Sequence, residues 1–469
     1  VPSACQRNLL SAFDKRCNYY TSARADPLIV KHSLSLLEKL CPSPCEPVDW
    51  TPELFHSWNS QFPAAKQARH LKVYPIISEC TSKQFSDKQI FVKIEALLKR
   101  HDTDWAPRII YQSSDLHNAI LGPVMQACTK RMFAAMDLSV NSNSVSYSGA
   151  YSKSTESLCE FIVRGSQPGS IYIESDFSAN DKTQVRDVHM LEVSWLRRLG
   201  APKWVTSLML VANSFMVKSM EYNLRARVVN QLPTGAQSTT FRNTMWNASI
   251  VESFCAPRGL IGSCLVLGDD MLLRLDNPFC VRAQPLRRAY EHITTLAHMK
   301  AKVFVRKHLS ECTFLSKQFI MTSFGFVLVP KLGKALARFN ARASKNDAVS
   351  DRSYLAGKAL SYSFEFRHCP PLSRAFGERY RQLCPDGDVS LDGIGWNAKG
   401  TFLDLGVQGV LDKIQSCRYH CNRDDMTRFY HYKYSLTATD VIELTLAVLF
   451  GEEDLDVSCC ERILEDFLD

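Results

Sequence analysis

The stretch Leu265-Val-Leu-Gly-Asp-Asp-Met-Leu-Leu273 constrains the fold more than any other. Six large apolar residues, three on each side, enclose a Gly-Asp-Asp centre. Leu265 to Leu267 and Met271 to Leu273 read as two short buried strands. Gly268, Asp269 and Asp270 read as the tight turn between them, because glycine is the default where a turn needs positive φ. Two carboxylates at the tip of an apolar hairpin face a heavy desolvation penalty unless water or a cation meets them. A hard divalent ion such as Mg²⁺ takes oxygen ligands and keeps positions open for phosphates. Taken alone, the stretch fits either an ordinary Asp-rich hairpin turn or such a metal site.

A chain of 469 residues that is 45% hydrophobic can bury a sizeable core in two or three subdomains. It has no apolar run of about 18 residues, so no transmembrane segment is expected. Val1 is not an initiator methionine and no signal-peptide pattern follows it, so the chain reads as an expressed or processed fragment. A net charge of +8 favours an anionic partner without naming one. Seventeen scattered cysteines, with no Cys-x-x-Cys unit, suit a reduced, cytosolic chain with buried thiols. Three groups are worth testing for zinc: Cys41 with Cys45, Cys417 with His420 and Cys421, and Cys459 with Cys460. The Cys417 group lacks the spacing of a common zinc module, and plain core or surface thiols are the expectation.

Residues 1 to 60 show no distinctive chemistry, and the basic run Lys66 to Lys72 reads as a solvated face. Phe91 to Glu95 and Ala106 to Ile110 read as two strand-like pieces carrying Lys93 and Arg108, which are either surface charges or phosphate ligands. A helix over Leu116 to Met132 is capped by Ser113-Ser114-Asp115, and residues 139 to 155 read as a mobile loop. A strand, Ser170 to Asp176, ends in a carboxylate, with Asp181 five positions on. Apolar residues from Val185 to Leu199 mark a helix closed by Gly200, a second helix is expected from Pro202 to Lys218, and 221 to 232 resemble a hairpin. The polar loop from Pro233 runs into a helix that continues through Phe254. Its Thr239 and Asn243, four residues apart, either bond locally or read a hydroxyl. A helix over 285 to 300, a strand over Ala301 to Val305 and a hairpin over Cys312 to Ile320 follow, with Lys300 and Lys302 at the helix-strand junction. Beyond about 325 the chain reads as largely helical, with a loop at Gly393 to Gly400.

The order of these pieces resembles the motif series of RNA-dependent RNA polymerases from positive-strand RNA viruses, in the tombusvirus-like and nodavirus-like or the alphavirus-like groups. Asp176 and Asp181 match motif A, Gly235 to Asn243 motif B, and Gly268 to Asp270 motif C. Lys302, ahead of Lys300, matches the motif D lysine. Cys312 to Lys317 looks like motif E, and Lys93 with Arg108 looks like motif F. Three positions depart from the pattern: Asn180 in place of an aromatic residue, Thr234 in place of Ser, and His298 in place of Gly.

The resemblance implies an α+β right-hand polymerase. Residues 1–60 would be an N-terminal extension, 61–169 fingers, 170–200 palm, 201–233 a fingers insertion, 234–324 palm again, and 325–469 thumb and C-terminal region. It implies metal binding by Asp176, Asp269 and Asp270, with Mg²⁺ as cofactor and Mn²⁺ able to substitute. Lys302 would act as general acid. Asp181, Ser238, Thr239 and Asn243 would select the ribose, Lys93 and Arg108 would bind the triphosphate, and Gly235 and Gln237 would touch the RNA backbone or template. Template and product RNA and NTPs are the implied partners. Other viral replication proteins, and through them host membranes, would place the chain in a membrane-associated replication complex of the host cytoplasm. A reverse transcriptase and a catalytically silent RNA-binding scaffold with a palm-like fold share parts of the pattern. Asn243 argues against the first and the intact set of three aspartates against the second.

Overall fold

The computed structural model describes residues 3, 5–18, 21–93, 95, 106–141, 143–276, 283–343, 348–385, 389–451, 461–464 and 466. Twelve strands among them form three sheets. Strands β1 (Lys88–Val92) and β2 (Ile109–Ser113) join β5 (Ser214–Ser219) and β6 (Leu224–Val229) in the order β2-β1-β5-β6. A five-stranded sheet has the order β3-β7-β8-β4-β9, built from β3 (Val145–Gly149), β4 (Ile171–Phe177), β7 (Gly262–Leu267), β8 (Asp270–Leu275) and β9 (Ala301–Arg306). The third sheet stacks β10 (Thr313–Phe314), β11 (Lys317–Thr322) and β12 (Gly325–Pro330) in sequence order.

The five-stranded sheet is antiparallel except where β3 runs parallel to β7. Its central strands are continuous apolar runs because both faces are covered. Leu265 and Leu272 pack into one cluster, and Cys264, Val266, Met271 and Leu273 into the main core on the other face. The helix Thr239–Cys255 lies in that main core, and every residue from Phe241 to Cys255 is buried. A helix buried all round needs partners for its polar groups. Ser249 therefore bonds Ser33 of the helix Pro27–Leu40 at 2.8 Å, and Ser33 also accepts from Trp195 Nε1 at 3.2 Å. A second apolar core organises the helices from Leu332 onward. Glu156 of the helix Thr155–Val163 ties that region to the rest through Arg367 at 2.8 Å and His368 at 3.2 Å.

Several local expectations give way to tertiary context. Residues 145–149, inside the expected loop 139–155, are a buried strand. Their loop-like serines are satisfied internally: Ser146 Oγ accepts from Asn141 N at 3.0 Å and Ser148 Oγ donates to Asp137 at 3.0 Å. The helix expected over 202–218 stops at Val211, and β5 begins three residues later. Asn213 is tied to Asn230 at 2.7 Å there, and Phe215 and Val217 alternate into the core of the four-stranded sheet. Residues 325–330 pair with β11 as a strand, so the helical region starts at Leu332. The helix Trp396–Gln415 begins within the loop expected at 393–400.

Candidate functional site

Asp176 sits near the end of β4, directly opposite Lys302 of β9 in the pairing register. Across the sheet, Leu267 pairs with Asp270, so Gly268 and Asp269 make the turn. Gly268 takes φ +63°, as the sequence requires. The turn is held from the helix Thr239–Cys255. Gly268 N donates to Thr244 Oγ1 at 2.8 Å, and Asn247 Nδ2 donates to the Asp269 carbonyl at 3.0 Å. Asp176, Asp181, Asp269, Arg108 and Lys302 line one cavity of about 580 Å³.

The carboxylates in this cleft repel one another. Asp269 reaches solvent at the hairpin tip, but protein surrounds the floor on which it stands. Burial, then Asp181 and Asp176, raise its carboxyl above the ordinary value. Asp270 also reaches solvent at the tip, but the protein around its base and the adjacent Asp269 push it up to about 7. Among the described residues, none of Asp176, Asp181, Asp269 and Asp270 forms a salt bridge. Such a donor set fits a hard divalent cation, which would relieve both the repulsion and the desolvation. Among the described residues, no three His, Cys, Asp or Glu side chains converge into a ready-made metal cage. Mg²⁺ is usually held by one or two carboxylates plus substrate phosphates, so that arrangement suits it.

Of the residues expected to select the ribose, Asp181 and Asn243 lie in one chain of hydrogen bonds. Asn243 Nδ2 donates to Asp181 Oδ1 at 2.9 Å, and Thr234 Oγ1 donates to Asp181 Oδ2. Gln184, fully buried, donates to Asn243 Oδ1 at 2.6 Å. Ser238 is buried. Thr239 bonds locally, to the Pro233 carbonyl at 3.4 Å. Gln237 reaches Asn118 at 3.1 Å. Gly235 has φ +96°, and a Cβ there would stand 3.2 Å from the Tyr111 carbonyl, so the loop needs glycine to close against β2.

Lys93 and Arg108 come together as expected of neighbouring strands: Lys93 N donates to Arg108 O at 2.8 Å. Glu95 holds both side chains, Lys93 at 3.1 Å and Arg108 at 3.5 Å. Arg108 lines the cavity with the aspartates, and Lys93 stands behind it at Glu95. The backbone of Lys300 accepts from Ser178 N at 2.8 Å at the junction before β9. His298, where the resemblance to motif D leads one to expect Gly, takes φ +57°, the backbone region that favours glycine.

Among the described residues, two thiol pairs and one thiol–imidazole contact stand out near the groups worth testing for zinc. Cys41 and Cys45 Sγ lie 3.6 Å apart, Cys369 and Cys421 Sγ 3.8 Å apart, and Cys417 Sγ 3.4 Å from His368. Cys459 and Cys460 lie outside the described residues.

Sequence reasoning missed Gln184, Thr244 and Asn247. Thr244 and Asn247 continue the polar stripe of Thr240 and Asn243 along a helix that is buried from Phe241 to Cys255, which is a legible signal. Gln184 had no such signal, because its partner lies 59 positions away.

An acidic cleft flanked by a guanidinium and a lysine is the chemistry of a phosphate-handling protein. The chain belongs to the RNA dependent RNA polymerase family, which it matches over residues 92–365. That range contains every site residue expected from the sequence. The chain is also similar to the RNA-directed RNA polymerase of barley stripe mosaic virus, at 22% identity over 267 residues. The match covers 56% of this chain and 32% of that protein, so the chain spans about a third of the relative's length.

Proposed function

We propose that this chain is an RNA-dependent RNA polymerase that copies a viral RNA by transferring nucleotides from NTPs to an RNA 3′-hydroxyl, with release of pyrophosphate. The observation that carries this reading is the cavity shared by Asp176, Asp181, Asp269, Arg108 and Lys302 in a chain of this family. In this reading the five-stranded sheet is the palm, the four-stranded sheet belongs to the fingers, and the C-terminal helices form the thumb. Divalent cations, Mg²⁺ or Mn²⁺, held by Asp176 and Asp269 with Asp270 in support, would activate the 3′-hydroxyl and neutralise the triphosphate.

The chain's own residues do the rest. Arg108 and Lys93, steadied by Glu95, bind the triphosphate oxygens. Lys302 supplies a proton to the leaving pyrophosphate. Asp181 and Asn243, with Ser238 and Thr239 behind them, test for the ribose 2′-hydroxyl, the group that separates RNA from DNA. Gly235 and Gln237 shape the loop that meets the RNA backbone. Template RNA, product RNA and NTPs are the direct partners. Other viral replication proteins would carry the enzyme to host membranes in the cytoplasm, since no helix among the described residues is long and apolar enough to cross one.

The test is template-directed incorporation of NTPs and dNTPs by the wild type and Asp269→Ala. The wild type should extend with NTPs in Mg²⁺ or Mn²⁺. The variant should fold and bind RNA but not extend. Extension by the variant, or a preference for dNTPs in the wild type, would refute the reading.

A further inference from the structure

The cavity has a wall that the polymerase motifs do not supply. The first helix, Gln6–Arg16, lies outside the family match at 92–365. Leu9, Ala12 and Cys17 at its end pack against Ile90, Ile109 and Tyr111 of the four-stranded sheet. Its last turn brings Arg16 into the lining of the same cavity as Asp176, Asp269 and Arg108.

The chain is fastened on both sides of Arg16 by residues of the site. Lys182, next to Asp181, donates to the Lys15 carbonyl. Gln231, ahead of the Gly235 loop, donates to the Cys17 carbonyl at 2.9 Å. Cys17 Sγ lies 2.8 Å from Tyr111 Oη. Arg16 is thus held in place rather than left on a free end.

Its guanidinium is in an unusual state. Arg16 Nε is buried and has no hydrogen-bond partner among the described residues. Burial, then the like charge of Arg108, make its charge harder to hold, while Glu95 offsets part of that. A guanidinium does not deprotonate to escape such a setting. Two of them in one cleft, one with an unused donor, call for a multiply charged anion with several oxygens.

Building on the polymerase reading above, we propose that Arg16 is a substrate-contacting residue which binds the phosphates of the incoming NTP alongside Arg108. The N-terminal helix thereby completes the triphosphate pocket from outside the polymerase motifs. It makes NTP affinity depend on docking of residues 6–17 against the strands that carry Arg108 and Tyr111.

The experiment is steady-state NTP incorporation by the full chain and its Arg16→Gln, Arg16→Lys and Arg108→Gln variants. RNA affinity is measured in parallel by fluorescence anisotropy, and folding by thermal unfolding. Arg16→Gln should raise KM for NTPs about tenfold, the scale of one charge-assisted hydrogen bond. It should leave kcat within about twofold and RNA affinity unchanged. Arg16→Lys keeps the charge but loses the planar fork, so its KM should fall between the two. If Arg16→Lys and Arg16→Gln unfold at the wild-type temperature and neither changes KM while Arg108→Gln does, the proposal is wrong. Reduced RNA affinity with unchanged KM would make Arg16 an RNA contact and also overturn it. An unchanged KM in Arg108→Gln as well would overturn the reading of the cavity on which the proposal rests.

Discussion

Replacing Gln184 by Leu isolates the second link of the hydrogen-bond chain proposed to read the ribose. Asn243 has its Oδ1 held by Gln184 at 2.6 Å and its Nδ2 pointed at Asp181 at 2.9 Å. The first bond fixes which face of the amide meets the second. A leucine side chain would fill a similar volume but donate nothing, leaving the buried Asn243 Oδ1 without its partner. A net hydrogen bond is worth about 1 kcal/mol, and a buried group left unsatisfied costs roughly 1–3 kcal/mol. Asn243 can recover part of this by rotating its amide, which turns it away from Asp181. A loss of about 1.4 kcal/mol in transition-state contact corresponds to roughly a tenfold loss in kcat/KM. The loss falls on the substrate that uses the contact. Thus kcat/KM for NTPs should drop about tenfold while that for dNTPs stays the same. Single-nucleotide extension with matched NTP and dNTP pairs measures both. Since Gln184 acts through Asn243, Gln184→Leu combined with Asn243→Ala should be no worse than Asn243→Ala alone. An equal fall for NTPs and dNTPs, or additive losses in the double variant, would refute the reasoning.

Two further outcomes follow from contacts described above. Thr244→Val removes the hydroxyl that receives Gly268 N at 2.8 Å, at a fully buried site. It should lower kcat by about tenfold with KM for NTPs little changed, because the freed turn carries Asp269; an unchanged kcat would show that the turn is held by Asn247 alone. His368 has the Tyr419 carbonyl at 2.8 Å from Nδ1 and Glu156 at 3.2 Å from Nε2, an arrangement for the doubly protonated ring. Burial opposes that charge, but Cys417 and Glu156 outweigh it and raise the group to about 9. Because its folded value is raised, the stabilisation is full below the unfolded value near 6.5 and is lost as pH rises through about 9. Glu156→Gln should therefore cost more at pH 6, about 3 kcal/mol, than at pH 10, where only its pair with Arg367 is left to lose, measured by denaturant unfolding. An equal cost at both pH values would sink the ion-pair account.

The residues of the candidate site leave plainer local marks in the sequence than the scaffold does, for physical reasons. Asp176, Asp181, Asp269 and Asn243 sit at strand ends, turns and helix starts, where local chemistry leaves marks: glycine at positive φ, carboxylates beside apolar runs, and polar residues four apart. The central strands were legible because they are buried on both faces and read as apolar runs. Strand β3 was not, because Ser146 and Ser148 are satisfied by Asn141 and Asp137, and nothing local distinguishes a satisfied buried serine from a solvated one. The helix end at Val211 was hidden because Leu208 to Ala212 and Phe215 to Val217 form nearly one apolar tract. At its interruption Asn213 meets Asn230, which lies just beyond the facing strand β6. The bond of Gln184 to Asn243 and the place of Arg16 in the cavity wall arise from residues that only the folded chain brings near.

The helix Thr239–Cys255 explains why these features belong to one machine. Asn243 bonds Asp181 in the network proposed to read the sugar, and Thr244 and Asn247 hold the turn that carries Asp269. With a rise of 1.5 Å per residue, Asn243 and Asn247 are separated by about 6 Å along the axis. The helix is buried from Phe241 to Cys255, so the two ends of that segment cannot shift independently. Its rigidity comes in part from the N-terminal region, because Ser33, Ile29 and Leu36 of the helix Pro27–Leu40 belong to its immediate surroundings and core. The segment before residue 60 therefore meets the candidate site twice, through Arg16 in the cavity wall and through Ser33 behind the helix that joins the Asn243–Asp181 bond to the Gly268–Asp269 turn.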